Sequence, residues 1–223
     1  MKKIRDIYEN PSLTTRYTSK WEQYFDVYDT YLQKFIGKSP VVLEIGIDNG
    51  GFLETLHHYL ENATIYGVDI RPKVLDVGLD NVKIFQGDQG DDKFWDDFIS
   101  KVPHFDIIID DGSHFMHHQI QTFEKLFPKM SPKGVYLVED THTSYMKEFG
   151  GAPGNRDSFI EYSKNIIDYL HMDHYKCINP ADPSLREINS IHFYDSIVAI
   201  ERAELSGRPK YQPTYVHREE YIR

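Results

Sequence analysis

The sequence contains one cysteine and no long run of apolar or basic residues. Cys177 alone can form neither an internal disulfide nor a thiolate metal cluster, and we expect it to be a small buried side chain. No apolar stretch approaches the roughly 20 residues of a membrane span, and MKKIRDIYENPS at the start lacks the apolar core of a signal peptide. We therefore expect a cytoplasmic protein that does not act on membranes.

Positive charge is also scarce. The chain has 35 Asp and Glu residues against 25 Lys and Arg, which gives a formal net charge of −10. An acidic protein without a basic patch is a poor partner for nucleic acid or for an anionic membrane. A neutral or cationic small ligand fits this charge better.

The length of 223 residues and a hydrophobic fraction of 40% suit one domain with a full core. We expect a single domain over 1–223, with an N-terminal helical region at 1–38, a core at 39–203 and a tail at 204–223. The tail mixes Pro, Gly and charged residues and can bury little surface, so it is either a loose end or an arm over another subunit. A homo-oligomer is the expected assembly.

Short segments rich in Val and Ile alternate with segments of helical periodicity along most of the chain. Five strands are predicted, at 41–47, 64–70, 81–88, 105–111 and 134–140. Helices are predicted between them and at 20–37 and 159–172. Residues 190–203 are predicted to form two further strands that pair antiparallel at the sheet edge. The pattern indicates an α/β fold with a mostly parallel, seven-stranded sheet and helices on both faces.

Two predicted strands run directly into carboxylates. IIIDDGSH carries Asp110 and Asp111, and GVYLVED ends in Glu139 and Asp140. Charges at buried strand ends need a cation, a ligand amine or several donors. His114 follows Asp111 by three positions, near enough to act as a base beside a cation. The set therefore favours a divalent-metal site.

A glycine-bearing loop joins the first predicted strand to a helix. Such a loop offers backbone N–H groups to a ligand, and here it contains Glu44, Gly46 and Gly50. The middle glycine of a dinucleotide-binding loop is absent, and Asp48 would repel a phosphate. A ligand that carries both an ammonium group and a carboxylate fits the loop better.

Polar residues also end the next two strands. Asp69 can accept bonds from both hydroxyls of a ribose, and Asp88 with Gln89 could contact an adenine or hold a loop. Each residue alone is more often a turn or cap residue. Their succession favours a ligand, because ligands of such sheets bind at the carboxyl ends of the strands. Adjacent strand residues point to opposite sides, so Asp110 is predicted to face the ligand's amino group while Asp111 faces the metal.

Other candidates have simpler explanations. His117 and His118, at the start of a helix, are expected to be surface or packing residues. His171 and His174 are spaced like metal ligands but lie beside no further candidate ligand. The Trp and Tyr residues of 20–37 are expected in the core.

Taken together, these residues resemble the class I S-adenosylmethionine-dependent methyltransferases. The resemblance covers about residues 20–203 and rests on Glu44-x-Gly46-x-x-x-Gly50, Asp69 and Gly87-Asp88. The run from IDDGSHFMHHQ to VEDTHTSY is more specific. It resembles the magnesium-dependent sugar O-methyltransferases of the macrolide type and the related cephalosporin-hydroxylase-like family.

The resemblance implies a Rossmann-like fold and a complete set of functional residues. S-adenosylmethionine would be bound by Glu44, Gly46, Gly50, Asp69, Asp88, Gln89 and Asp110. Mg²⁺, or Mn²⁺ in its place, would be held by Asp111, Glu139 and Asp140, with His114 as general base. The implied reaction is O-methylation of a sugar or of a glycosylated metabolite. Two alternatives remain open: a catechol-type or other diol O-methyltransferase, and a non-catalytic S-adenosylmethionine-binding protein.

Overall fold

The computed structural model describes residues 2–71, 74–171 and 183–203. The α-helices are α1 (Ile4–Tyr8), α2 (Tyr24–Leu32), α3 (Gly51–Tyr59), α4 (Asp92–Lys101), α5 (Met116–Leu126) and α6 (Phe159–His171). The strands are β1 (Val41–Ile45), β2 (Thr64–Asp69), β3 (Val82–Gln86), β4 (Phe105–Asp110), β5 (Met130–Val138), β6 (Ile188–Phe193) and β7 (Val198–Arg202). Short 3₁₀ helices cover Gln33–Phe35, Phe127–Lys129, Thr141–Tyr145, Lys147–Phe149 and Pro183–Glu187. Within these ranges, no helix is long and apolar enough to cross a bilayer. The predictions for Cys177, His174 and the tail at 204–223 lie outside the described residues.

The seven strands form one sheet in the order β3-β2-β1-β4-β5-β7-β6. Strands β1 to β5 pair in parallel, whereas β7 runs antiparallel to both β5 and β6. The chain moves outward from β1 through β2 to β3 and then returns to place β4 on the other side of β1. Such a reversal opens a crevice at the carboxyl ends of the strands. The predicted seven-stranded sheet with an antiparallel edge is confirmed.

The two faces of the sheet pack against different helices. Ile107 and Ile109 of β4 lie in one core cluster with residues of α1, α2 and α3, and Ile108 lies in a second cluster with residues of α4, α5 and α6. A strand covered on both faces reads as a continuous apolar run, which explains the pattern FDIIID. The tyrosines of α2 are buried as predicted, but Trp21 is 55% exposed.

Some boundaries differ from the predicted ones. The predicted helix that became α5 ends at Leu126, and the chain continues as a 3₁₀ turn from Phe127. Pro128 ends the α-helix because it has no N–H and crowds the preceding turn. Strand β5 begins at Met130, earlier than predicted, and Met130 pairs with Phe105 before a register shift. Polar residues in this first part of β5 concealed it.

Candidate functional site

A cavity of about 600 Å³ lies at the carboxyl ends of β1, β4 and β5. The predicted residues that line it are Glu44, Gly46, Asp69, Asp111, His114, Glu139 and Asp140. One wall is built by an N-terminal segment, residues 18–21, and by Tyr24 of α2. No pattern in the sequence indicated this contribution.

A second cavity of about 540 Å³ lies beside the first. It is lined by Asp69, Asp88 and Gln89, the residues predicted to contact a nucleoside. His118, expected to be a surface or packing residue, also lines it and pairs with Ser113 Oγ at 2.7 Å. The two cavities share the lining residues Gly46, Asp69, Arg71, Gly112 and His114. An elongated ligand could therefore extend from one into the other.

Gly46 lies where the loops after β1 and β4 meet. Its φ is +84°, and a Cβ there would lie 1.9 Å from the carbonyl oxygen of Asp111. Only glycine allows this close approach of two backbones. Gly50 has a different role, because it precedes α3 with a φ of +81° and lines neither cavity. Its assignment to cofactor binding stays a prediction.

Three side chains converge at the acidic end of the first cavity. Ligand atoms of Asp111, His114 and Asp140 all lie within 4.8 Å of one another. His114 Nε2 is 3.8 Å from Asp111 Oδ1 and 3.6 Å from Asp140 Oδ2. The carboxylates of Asp111 and Asp140 at this spacing fit a divalent cation, and the imidazole beside them can either complete the ligand set or act as a base.

The backbone at this point is strained. His114 has a φ of +59° and Asp140 a φ of +52°, a region that residues other than glycine seldom adopt. Thr143 stabilises the conformation of Asp140, because its N–H and its hydroxyl both donate to the carbonyl of Asp140. Such strain recurs at functional sites, where the surrounding structure compensates for it.

Both carboxylate oxygens of Glu139 accept hydrogen bonds from side chains of the N-terminal region. The Tyr28 hydroxyl donates to Glu139 Oε1 at 2.5 Å, and Lys20 Nζ donates to Oε2 at 2.9 Å. Burial raises the pKa of Glu139, an effect that Lys20 opposes. Glu139 is not among the three residues whose ligand atoms converge. Its assignment as a metal ligand stays a prediction.

Lys20 is the main site residue that the sequence did not reveal. Its Nζ donates to Asp111 Oδ2 at 2.6 Å, lies 3.8 Å from Glu44 Oε1 and sits 4.5 Å from the centre of the Phe52 ring. Its side chain is only 2% exposed. Burial lowers the pKa of Lys20, but Asp111, Glu139 and Glu44 together raise it well above the ordinary value. The three carboxylates therefore favour the charged form of the ammonium group.

Helix α3 fixes the segment that carries Lys20. The buried carboxylate of Glu54 accepts from the N–H groups of Thr15 and Arg16 at 2.7 and 2.9 Å, and from the Thr15 hydroxyl at 2.9 Å. Gly51 allows the segment to pack closely, because a Cβ there would lie 2.5 Å from the carbonyl of Arg16. The segment of residues 18–21 that lines the first cavity is thus anchored to α3.

Asp110 and Gln89 form a buried pair. Gln89 Nε2 donates to both oxygens of Asp110, at 2.8 and 2.9 Å, and Gln89 Oε1 accepts from Ser113 N at 2.8 Å. Burial raises the pKa of Asp110 to about 7. Asp110 lines neither cavity, so the structure does not bring it to a ligand and its assignment to the cofactor stays a prediction.

Two carboxylates remain available to a ligand. Asp69 lies between the cavities and accepts from the N–H groups of Asp48 and Arg71 at 3.1 and 2.7 Å. Glu44 is almost fully buried, and its Oε2 has no hydrogen-bond partner among the described residues. Burial raises the pKa of Glu44 to about 8, against the effect of Lys20. A buried carboxylate oxygen without a partner fits the ammonium group of a ligand.

Residues 14–141 match the family model described as FtsJ-like methyltransferase. The 8-demethyl-8-alpha-L-rhamnosyl tetracenomycin-C 2'-O-methyltransferase of Streptomyces olivaceus is 32% identical to this chain, over 91% of this chain and 57% of its own length. The mycinamicin VI 2''-O-methyltransferase of Micromonospora griseorubida is 31% identical, over 83% of this chain and 50% of its own length. The chain therefore spans about half the length of these relatives.

A solved structure of the MycE methyltransferase from the mycinamycin biosynthetic pathway is similar in fold. Its complex with Mg, SAH and mycinamycin VI superposes with a TM-score of 0.78 at 27% identity, over 94% of this chain and 55% of that one. The likeness confirms the predicted Rossmann-like fold.

Proposed function

Because the chain belongs to the FtsJ-like methyltransferase family, we propose that it transfers a methyl group from S-adenosylmethionine to a hydroxyl of a sugar or of a glycosylated metabolite, with the assistance of Mg²⁺. The names of two relatives specify O-methylation, and the MycE complex contains Mg and SAH. The acceptor and the activity are carried over from proteins about twice as long, so they form part of this proposal.

The two adjacent cavities support the cofactor assignment. A nucleoside in the second cavity would have Asp88 and Gln89 beside its base, with Asp69 at the passage where the ribose would lie. The amino-acid part would then reach the first cavity, where Glu44 Oε2 offers an acceptor for its ammonium group. Gly46 lines both cavities and allows the loops after β1 and β4 to approach each other at their junction.

The single observation that carries the proposal is the position of His114. Its Nε2 faces Asp111 and Asp140, and the residue lines both cavities. A hydroxyl placed in the first cavity would therefore meet a base close to the end of the cofactor. No other imidazole among the described residues combines these contacts.

Methyl transfer also requires removal of the hydroxyl proton and positioning of the acceptor, and residues of this chain can provide both. A sugar hydroxyl is a weak nucleophile at neutral pH, and His114 in its neutral form would accept the proton. When bound, S-adenosylmethionine supplies the methyl group and Mg²⁺ makes the hydroxyl more acidic. Asp111, Glu139 and Asp140 would hold the ion, with Mn²⁺ as a functional replacement. Positioning of the acceptor oxygen in line with the methyl group would be the main contribution of the cavity walls.

The rim of the site suits an acceptor with an apolar part. Trp21 lines the first cavity and is 55% exposed, and Phe115 lines the second and is 39% exposed. Trp21 also packs edge-on against His142, with ring centres 6.3 Å apart. An aglycone could cover these rings while its sugar enters the cavity.

Methyl transfer to a panel of acceptors tests the proposal. The protein would be incubated with S-adenosylmethionine, Mg²⁺ and glycosylated metabolites, nucleotide sugars or catechols, and products would be followed by mass spectrometry. A mass gain of one CH₂ unit on sugar-bearing acceptors is the expected result. Gain on catechols alone would favour the diol alternative, and cofactor binding without any transfer would favour the non-catalytic one. The homo-oligomer, the cytoplasmic location and the cephalosporin-hydroxylase-like relationship stay predictions.

A further inference from the structure

Lys20 contacts two of the carboxylates that the proposed function assigns to the divalent cation. Its Nζ lies 2.6 Å from Asp111 Oδ2 and 2.9 Å from Glu139 Oε2. We propose that Lys20 is a resident counter-ion that competes with the cation for Asp111 and Glu139 and so lowers the metal affinity of this chain. The inference rests on the proposed function, because that function supplies the cation.

Competition follows from how the oxygens of Glu139 are used. Oε1 accepts from the Tyr28 hydroxyl and Oε2 accepts from Lys20, and the whole side chain is buried. A metal ion that binds Glu139 is therefore expected to displace Nζ from Oε2 rather than share that oxygen with it. Sharing would bring like charges within a few ångströms of each other in a poorly hydrated site, where their repulsion is strong.

Among the contacts of the described residues, Lys20 bonds to neither of the other two groups at this end of the cavity, His114 and Asp140. Lys20 engages only one oxygen of Asp111, because Oδ2 accepts from Lys20 while Oδ1 faces His114. The charge of Lys20 therefore offsets Asp111 and Glu139 but is not paired with Asp140.

Lys20 is held in this position by the fold. The segment before it is bonded to Glu54, and its ammonium group lies over the Phe52 ring of the same helix. A buried ion pair could also serve stability alone. Metal affinity distinguishes the two roles, since a lysine that only stabilises the fold would leave the affinity unchanged.

Lys20→Met and Lys20→Gln test the proposal. Mn²⁺ would be titrated calorimetrically into each protein saturated with S-adenosylhomocysteine. Both variants should bind Mn²⁺ more tightly than the parent, by roughly ten-fold or more. Lys101→Met is the matched control, because Lys101 pairs with Asp97 on the exposed surface of α4 and should leave the affinity unchanged. Equal or weaker binding by both Lys20 variants would overturn the inference.

A second measurement uses the parent protein and does not depend on whether the variants fold. Amine acetylation of Lys20, read by mass spectrometry, should be several-fold faster with saturating Mg²⁺ than with chelator, and Lys101 is the internal reference. An unchanged or slower rate at Lys20 would overturn the inference. Equal affinities in parent and variants contradict only the role of Lys20, whereas absence of metal binding in all of them contradicts the metal site of the proposed function as well.

Discussion

The Tyr24 hydroxyl donates to Asp140 Oδ1 at 2.6 Å and accepts from the N–H of Asp140 at 3.1 Å. One side chain of α2 therefore fixes both the carboxylate and the backbone of a residue in a left-handed conformation. The partner of a metal-binding carboxylate orients it for the ion. Tyr24 links the N-terminal helical region directly to the proposed metal site.

Tyr24→Phe should weaken Mg²⁺ binding by about 10–100-fold, the usual cost of removing such a partner. Activity should return at high Mg²⁺ concentration, because the ligands themselves remain. Titration of activity against Mg²⁺ measures the shift. The control is Tyr31→Phe, which removes a hydroxyl of the same helix that pairs with Tyr194 and lines neither cavity. An unchanged Mg²⁺ requirement in Tyr24→Phe would contradict this assignment.

His114→Ala should lower turnover by roughly 10²–10⁴-fold, the range expected for loss of a positioned base. Binding of S-adenosylhomocysteine should change little, because the polar contacts of the imidazole are with Asp111 and Asp140 and not with the residues proposed to bind the nucleoside. Turnover with saturating acceptor checks the first point and calorimetry the second. His117→Ala, in the next helix, is the matched control. A variant with near-parent turnover would assign proton removal to another group.

Removal of divalent ions should abolish methyl transfer without abolishing cofactor binding. The proposed ion contacts the acceptor hydroxyl, and the second cavity that would hold the nucleoside contains none of its proposed ligands. Chelator should stop turnover, and Mg²⁺ or Mn²⁺ should restore it. Full activity in excess chelator, with metal loss verified by elemental analysis, would refute metal assistance.

Asp69→Ala should weaken binding of S-adenosylmethionine by about 1–3 kcal/mol, the range for hydrogen bonds to a charged acceptor. The parent should bind S-adenosylmethionine and not NAD, because Asp48 opposes a phosphate at the first loop. Calorimetry measures both affinities. Asp76→Ala, in an exposed turn after β2, is a control that should bind as the parent does. Tight NAD binding would contradict the cofactor assignment.

The buried Glu44 should make stability depend on pH. Burial raises its pKa from 4.5 in the unfolded chain to about 8 in the folded protein, so the folded protein holds the proton more tightly. The free energy of unfolding should therefore fall as the pH rises through this window. Urea unfolding at about pH 5 and about pH 8 in chelator should show a decline in the parent that is about 2–4 kcal/mol larger than in Glu44→Gln. Equal declines would show that the raised pKa is compensated elsewhere.

The sequence predicted most of the sheet, because strand identity depends on local residue types. Buried strands such as FDIIID and their acidic ends are continuous in sequence, and the parallel arrangement brings those ends together. Asp111 lines the first cavity and Asp110 lines neither cavity, so the predicted contact of Asp110 with a ligand amine stays a prediction. The partner of Asp110 was not predictable, because Gln89 lies 21 positions earlier.

Lys20 could not be recognised from sequence for the same reason. It lies 91 positions from Asp111 and 119 from Glu139, and a single lysine in an amphipathic segment ordinarily faces solvent. The left-handed conformation of Asp140 and the engagement of Glu139 by Tyr28 also depend on tertiary contacts. The sequence therefore showed the chemical type of each residue, whereas the contacts of each side chain could be seen only in the folded structure.

The separation of these partners along the chain has a consequence for folding. Tyr24 bonds to Asp140 and to the carbonyl of Ser196, which lies 172 positions away next to β7. Contacts between such distant positions require closure of a long loop, and contacts of high sequence separation slow folding. Tyr24, in the wall of the first cavity, can therefore form these bonds only when Asp140 and Ser196 have reached their places in the fold. The proposed metal site is therefore expected to acquire an oriented Asp140 only after the N-terminal helical region has packed against the sheet.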